Sequence, residues 1–344
     1  MTAPVTTTVA GPPTLAGDVP VAVRVGSRRE VARSLLRDRT AVLGLVIVSL
    51  LVAGAVLAPL LARHDPNHVD VLRKFLPPSR SFPLGTDNLG RDVFARLLFG
   101  ARVSIGTAML AGLLIGTIGT VVGLVAGYLG GVVDGLVGRI LDVLLSFPPF
   151  LLAMAVLGLV GPGLRNMTIS VIAVSWAQYA RIVRGTVLVE RERDYVEAAR
   201  AAGGSTLRIM RRHVLPNIVA PVIVLITLDM GIVLLQISGL SFLGLGVKPP
   251  TAEWGSMLSE GRNYLDQAPQ MMTFPGAAIF LLVLGLNLLG DGLRDALDPH
   301  TRLTLPRPGR PGRPGRPGRR GPGGPSGTGP AAPPAPSGGA APPG

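Results

Sequence analysis

The sequence predicts an all-α membrane protein, a bundle of six helical spans between unstructured ends. Two observations carry that class. Hydrophobic residues make up 48% of the 344 and charged residues only 15%, with a mean hydropathy of +0.47, a balance unlike that of soluble two-domain chains of this length. The apolar residues also gather into long uncharged runs, 23 residues at 40–62 and 24 at 267–290, where about 20 suffice to cross a bilayer's hydrocarbon core. A third observation narrows the chemistry. With no cysteine in the chain, a disulfide scaffold, a thiolate metal centre, an iron–sulfur cluster and a cysteine nucleophile are all excluded.

In chain order, residues 1–26 are rich in Thr, Pro, Val and Gly without helical periodicity and read as a disordered leader. Residues 27–40 form a basic segment. The first apolar run begins at Ala41 and is already span-length, so no cleaved signal is expected. Spans follow at 41–61, 103–127, 143–160, 166–183, 214–238 and 272–290, together forming a domain over 41–299. The second carries Gly112, Gly116, Gly119, Gly123 and Gly127, a spacing that lets helix backbones approach closely. The fourth is uncharged only over 166–180, so Arg181 either snorkels to an interface or sits on a helix sheltered by its neighbours. Residues 300–344 are Pro/Gly/Arg-rich with a repeated Pro-Gly-Arg triplet. Four triplets are too few for an unsupported collagen helix, so this reads as a solvated basic tail, whose arginines are able to touch anionic lipid.

Six spans put both ends on one side. Arg and Lys then number 23 on that side and 10 on the other, 33 in all, which places both ends in the cytoplasm. The net charge of +13 mainly reports topology, and no nucleic-acid partner is expected.

Signs of catalysis are few. His64 and His68 stand four apart, but Pro66 between them breaks the helix that a chelating pair would need, leaving two solvated imidazoles. No phosphate-cradling GxxxxGK[ST], no HExxH and no GxSxG occurs, so the chain is expected to be neither a nucleotide binder nor an enzyme. Asp229 is different, because it stands between uncharged runs at 214–228 and 230–247. A mid-bilayer aspartate costs about 2.5–3.5 kcal/mol on insertion scales and must face a partner, a cavity or a path. It lines a translocation path, or it glues helices by hydrogen bonding; the residues leave both open.

Residues 190–216 read ERERDYVEAARAAGGSTLRIMRRHVLP. Good helix formers run from Glu190 to Ala202, with Arg193 and Glu197 four apart on one face. Gly203 and Gly204 offer a left-handed C-cap, and Ser205 an N-cap for a second short helix. The expected product is a helix, a bend and a helix projecting from the bundle, with Ala198, Ala199 and Ala202 as a low-profile surface for a groove on another protein. A plain amphipathic loop helix fits the same residues.

Glu197-Ala198-Ala199, then Gly203, then Leu215-Pro216 resembles the EAA loop of ABC importer permeases. His213 departs from that pattern, which has an aliphatic residue there. Three further blocks are similar to dipeptide/oligopeptide-type permeases, C-type subunit: PLGTDNLGRD at 83–92; LSFLGLG at 240–246 with Pro249-Pro250 and Glu253-Trp254-Gly255; and GDGLRDALDP at 290–299. The four blocks cover about 35–299. The resemblance implies a multi-pass subunit of the bacterial plasma (inner) membrane working with a second permease, two cytoplasmic ATPase subunits and an extracytoplasmic solute-binding protein. ATP and Mg would be bound by the ATPases, with no cofactor in this chain. Residues 197–203 would be the coupling helix that docks into an ATPase groove, with Leu215 and Pro216 completing the motif. Peptide is the expected solute, and nickel or another small solute the alternative within the family. A membrane-embedded enzyme and a passive channel are the distant alternatives: the first lacks convergent ionisable residues in the spans, and the second leaves the EAA-like loop without a use.

Overall fold

The computed structural model describes residues 28–297, and every regular element among them is helical. The expected leader at 1–26 and the tail at 300–344, with its triplet repeat, lie outside the described residues.

A short helix α1 (Arg28–Leu35) leads into α2 (Arg39–Val56), which starts where Asp38 accepts the Thr40 amide at 2.9 Å. The expected first span, 41–61, is interrupted near its end. Pro59 cannot donate to a helix that continues through it, so α2 stops and a single turn α3 (Ala58–Leu61) follows. The longest elements are α4 (Val93–Leu129), α7 (Leu164–Glu190), α10 (Leu215–Phe242) and α12 (Gln270–Leu297).

Four helices, α2, α4, α10 with the short turns before it, and α12, are long and apolar enough to cross a membrane. The expected third span, 143–160, is not one straight helix. It divides into α5 (Gly131–Leu145) and α6 (Pro149–Val160), bent by 88° at Ser146-Phe147-Pro148, because consecutive prolines at 148 and 149 remove two backbone donors. Counted as one broken span this pair makes five. The expected fourth span lies on α7, which at 27 residues has the length but, with Gln178, Arg181 and Arg184, lacks the apolarity. It is sheltered by its neighbours: Met167, Val171, Ala177, Ala180, Val183 and Val187 are fully buried.

The glycines of α4 do what their spacing predicts. A Cβ on Gly119, Gly123 or Gly127 would lie 2.4, 2.7 and 2.9 Å from atoms of α7, and one on Gly116 2.4 Å from Ile226 on α10. Helix α4 is therefore clasped between α7, which its backbone approaches closely, and side chains of α10. Gly44 likewise seats α2 on α12, its Cβ position 2.7 Å from the Gly285 carbonyl.

At one end of the bundle, residues 62–92 fold over α11 (Trp254–Gly261). A network of buried charges joins them. Arg91 Nε donates to Asp87 Oδ2 at 2.6 Å and its Nη2 to Glu260, while Arg96 Nη2 meets Glu260 Oε2 at 3.1 Å. Arg91 and Arg96 are only 2% and 1% exposed. Glu253, fully buried, accepts the amides of Gly255 and Ser256 at 2.9 and 2.8 Å and caps α11. Ser104 of α4 donates to the same carboxylate and accepts the Trp254 amide, both at 3.0 Å. Here His64 departs from the expected solvated imidazole: Nδ1 lies 2.8 Å from Asp92 Oδ2 and the ring stacks on Phe82 at 4.8 Å. His68 is exposed. No group of three or more metal-ligating side chains occurs among the described residues.

Candidate functional site

The loop at the opposite end of the bundle is built from three short pieces: α8 (Asp194–Ala201), α9 (Thr206–Ile209) and one π-helical turn (Met210–Val214) that runs straight into α10. A helix over Glu190–Ala202 was expected from propensity. Instead α7 continues to Glu190, the chain turns at Arg191 to Arg193, and α8 begins at Asp194. Arg193 is consequently the N-cap of α8, and its Nε pairs with Glu190 at 3.3 Å rather than with Glu197.

The C-terminal stop of α8 is a Schellman motif. The Gly203 amide donates to Arg200 O and the Gly204 amide to Ala199 O, both at 3.0 Å, the paired pattern that closes a helix on a left-handed residue. Gly203 holds φ +78°, which a side chain disfavours. Gly204 is not left-handed; it is small because a Cβ there would lie 2.7 Å from Ala199 O. Ser205 occupies the N-cap position of α9 with no side-chain capping bond, so backbone geometry alone starts that turn.

Burial divides the loop into two faces. Val196, Ile209, Met210 and Val214 are buried with Leu124, Val183, Val187 and Ile218, and the half-buried Ala199 and Leu215 pack on them. Glu197, Ala198, Ala202, Gly203 and Pro216 are exposed. Of the seven residues singled out in the sequence, Glu197, Ala198 and Gly203 are thus exposed, as is Pro216 at the start of α10, Ala199 and Leu215 face inward, and Asp229 lies elsewhere.

Polar contacts fasten this loop to three long helices. Arg191 Nη1 donates to Gly127 O at 2.9 Å, placing a cation on the C-terminus of α4, where the helix dipole favours it. Tyr195 donates its hydroxyl to Glu190 Oε1 and accepts from Asn217 Nδ2 at 2.9 Å; Asn217 Nδ2 also donates to His213 O at 2.7 Å. Burial, reinforced by the Glu190 carboxylate, pushes the Tyr195 phenol up to about 12, so it stays a donor at neutral pH. Arg184 forms a two-armed pair with Asp134 and Arg181 a single pair with Asp142. Arg181 and Arg184 of α7 are thereby both answered by α5, the Arg181–Asp142 pair lying exposed.

Glu190, Tyr195 and Asn217 were not singled out by their sequence. The available signal was weak: a tyrosine inside a charged helix and an asparagine directly after Leu215-Pro216. The bent turn at 191–193 brings them together, and composition does not reveal that bend.

Asp229 is half-buried in the middle of α10, beside Tyr179 of α7. The Tyr179 hydroxyl is itself buried and completes no hydrogen bond of good geometry. Two turns along the same face of α10, Gln236 accepts from Ser175 Oγ at 3.2 Å, so a sparse polar seam runs between α7 and α10.

Comparison with known proteins gives a consistent picture. Residues 119–303 match the family described as binding-protein-dependent transport system inner membrane component, and residues 28–78 match the N-terminal TM domain of oligopeptide transport permease C. The dipeptide transport system permease protein DppC of Alkalihalophilus pseudofirmus is 42% identical over 273 residues, 79% of this chain and 89% of that one. The di/tripeptide transport system permease protein DppC of Pseudomonas aeruginosa is 42% identical over 286 residues, covering 79% and 91%. The nickel transport system permease protein NikC of Escherichia coli K12 is 42% identical over 258 residues, covering 75% and 93%.

Proposed function

This chain belongs to the family of binding-protein-dependent transport system inner membrane components, and from that premise we propose that it is the C-type permease subunit of an ATP-driven importer of dipeptides or oligopeptides. In this reading it crosses the inner membrane six times, with α7 as the sheltered fourth span and the bent pair α5–α6 as the third, and both ends lie in the cytoplasm. A second permease completes the path, two ATPase subunits bind ATP and Mg and dock on the loop, and a solute-binding protein delivers cargo from outside. The chain itself performs no covalent chemistry.

The observation that carries the reading is the two-faced loop. A protrusion whose inner face is buried against α4, α7 and α10, and whose outer face is small and exposed at Ala198, Ala202 and Gly203, is able to receive a partner closely and pass its displacement to three spans. ATP binding would draw the two ATPases together, and the loop would carry that closure into the helices. The ligand supplies differential free energy between two bundle arrangements, and without such a difference no shift occurs.

Two features support a path near mid-membrane. The elbow Ser146-Phe147-Pro148 is exposed on this chain, although α5 beside it packs against Ala177 and Ala180 at the centre of α7. Irregular backbone at such depth persists only against protein or beside a water-filled cavity. Asp229, half-buried at the same level, is the charged residue assigned to that path. Nickel is the second reading, favoured by the identity to the nickel permease.

The test is reconstitution of the chain with its companion permease, ATPases and binding protein in proteoliposomes. ATP-dependent accumulation of dialanine is expected; accumulation of Ni2+ alone selects the second reading, and accumulation by this chain without the ATPases overturns both.

A further inference from the structure

The chain also contains a part that neither the family resemblance nor the two-faced loop assigns. A coupling arm must resist displacement in more than one direction if motion at its tip is to reach the spans without being absorbed. Burial of Val196, fully inside, holds α8 down on the bundle. Apolar burial is non-directional, however, and leaves α8 free to roll about its own axis.

Tyr195 is the neighbouring residue, about a quarter-turn around α8 from Val196, and is 38% exposed. Its hydroxyl is used twice, as donor to Glu190 at the last position of α7 and as acceptor from Asn217 in the first turn of α10. Glu190 is braced in turn by Arg193, the N-cap of α8. Asn217 is braced by its bond to His213 O, inside the π-helical turn, where the chain carries one residue more than an α-helix would. One phenolic oxygen therefore ties together the end of one long helix, the coupling helix and the start of the next. These bonds are directional, so they oppose the roll that burial permits. His213, the one departure from the family pattern, does not disturb this tie: its ring lies 6.5 Å from that of Tyr195, and its carbonyl, which any residue would supply, holds Asn217.

We infer that Tyr195 is a positioning residue for energy coupling: with Glu190 and Asn217 it locks the rotational setting of α8 on α7 and α10, so that ATPase movement is delivered to both helices together. The inference rests on the importer reading above.

The experiment uses the whole importer in proteoliposomes, with dialanine and Ni2+ as the two cargo probes, and reads ATP hydrolysed per cargo accumulated. Tyr195→Phe keeps the ring and deletes both bonds. The expected result is a rise of about tenfold in that ratio, as a loss of ~1.4 kcal/mol of coupling would give, with co-purification of the ATPases and the melting temperature unchanged. Glu190→Gln, which still accepts from the phenol, should stay within about twofold of the parent, and Glu190→Leu should resemble Tyr195→Phe. An unchanged ratio in Tyr195→Phe overturns the inference while leaving the importer reading intact. Loss of the ATPases from the Tyr195→Phe complex also overturns it, in favour of a docking role. If Tyr195→Phe lowers the melting temperature, Asn217→Ala, which leaves the Glu190 bond in place, decides on the same ratio. No ATP-dependent accumulation of either probe by the unmodified complex overturns the importer reading and this inference with it.

Discussion

The two ends of the bundle are fastened in opposite ways. At the α11 end, Arg91 and Arg96 are buried with Asp87 and pair with the half-buried Glu260. At the α8 end, apolar side chains face inward and the polar ties lie at the surface, beside exposed alanines and glycine. Buried charges hold a shape by making its disruption costly, since an unpaired buried ion loses several kcal/mol of solvation. Apolar burial with a few surface bonds holds a shape more cheaply and leaves its outer face for a partner. The first arrangement suits a cap that keeps its form, the second a part that is pushed.

The sharpest way to break this contrast is at the buried network. Arg91→Met removes the nearer of the two guanidinium partners of Asp87 and one of the two partners of Glu260; a loss of ~3–5 kcal/mol is expected, seen as a lower melting temperature of the purified chain and less protein in the membrane. A surface-like cost below ~1 kcal/mol would mean the network is solvated and the contrast false. Next in size, Ser104→Ala leaves the buried Glu253 carboxylate and the Trp254 amide each short of a bond, at about 1–3 kcal/mol, again read as melting temperature. Transport per folded molecule should be unaffected if this end only holds its shape.

At the α8 end the expected signature is reversed, with small stability changes and large functional ones. Gly203→Val forces a β-branched residue to φ +78° at roughly 1–2 kcal/mol. ATP hydrolysis should persist in the reconstituted complex while cargo accumulation falls; coupled transport at the parent rate would show that the left-handed stop is dispensable. The smallest effect concerns Tyr195. With its phenol raised from its ordinary value to about 12, the stabilisation it contributes is complete below about pH 10 and is lost as pH rises from there toward 12. Tyr195→Phe should therefore melt with a shallower pH dependence over that interval and show no difference between pH 6 and 9.

Much of the fold was legible because its causes are local. Hydropathy marks α2, α4, α10 and α12, the last three with observed limits that enclose or nearly match the expected spans and α2 stopping short at Val56, and glycine spacing predicts the close contacts of α4. The expected left-handed residue at 203 is there because only the Gly-Gly step offers it. Legibility failed where neighbours override propensity. Good helix formers at 190–193 turn instead of continuing, because Val187 and Val196 are both drawn into the same apolar cluster. The span expected at 143–160 bends by 88°; the prolines were visible, but the direction of the bend depends on how α5 packs against α7.

The candidate site divides in the same way. Glu197, Ala198, Ala199, Gly203, Leu215 and Pro216 were found by their spacing along one segment, whereas Glu190, Tyr195 and Asn217 span 28 residues and meet only because α7 and α10 return to one place. Arg91 and Glu260 stand 169 positions apart. The sequence by itself determined that this is a membrane chain, where its apolar helices run, and which loop resembles a coupling motif, since those follow from side-chain transfer free energies and short-range spacing. Only the tertiary structure decided which charges are paired and which helix ends share a hydroxyl, because those contacts depend on the return of distant segments, which no local pattern encodes.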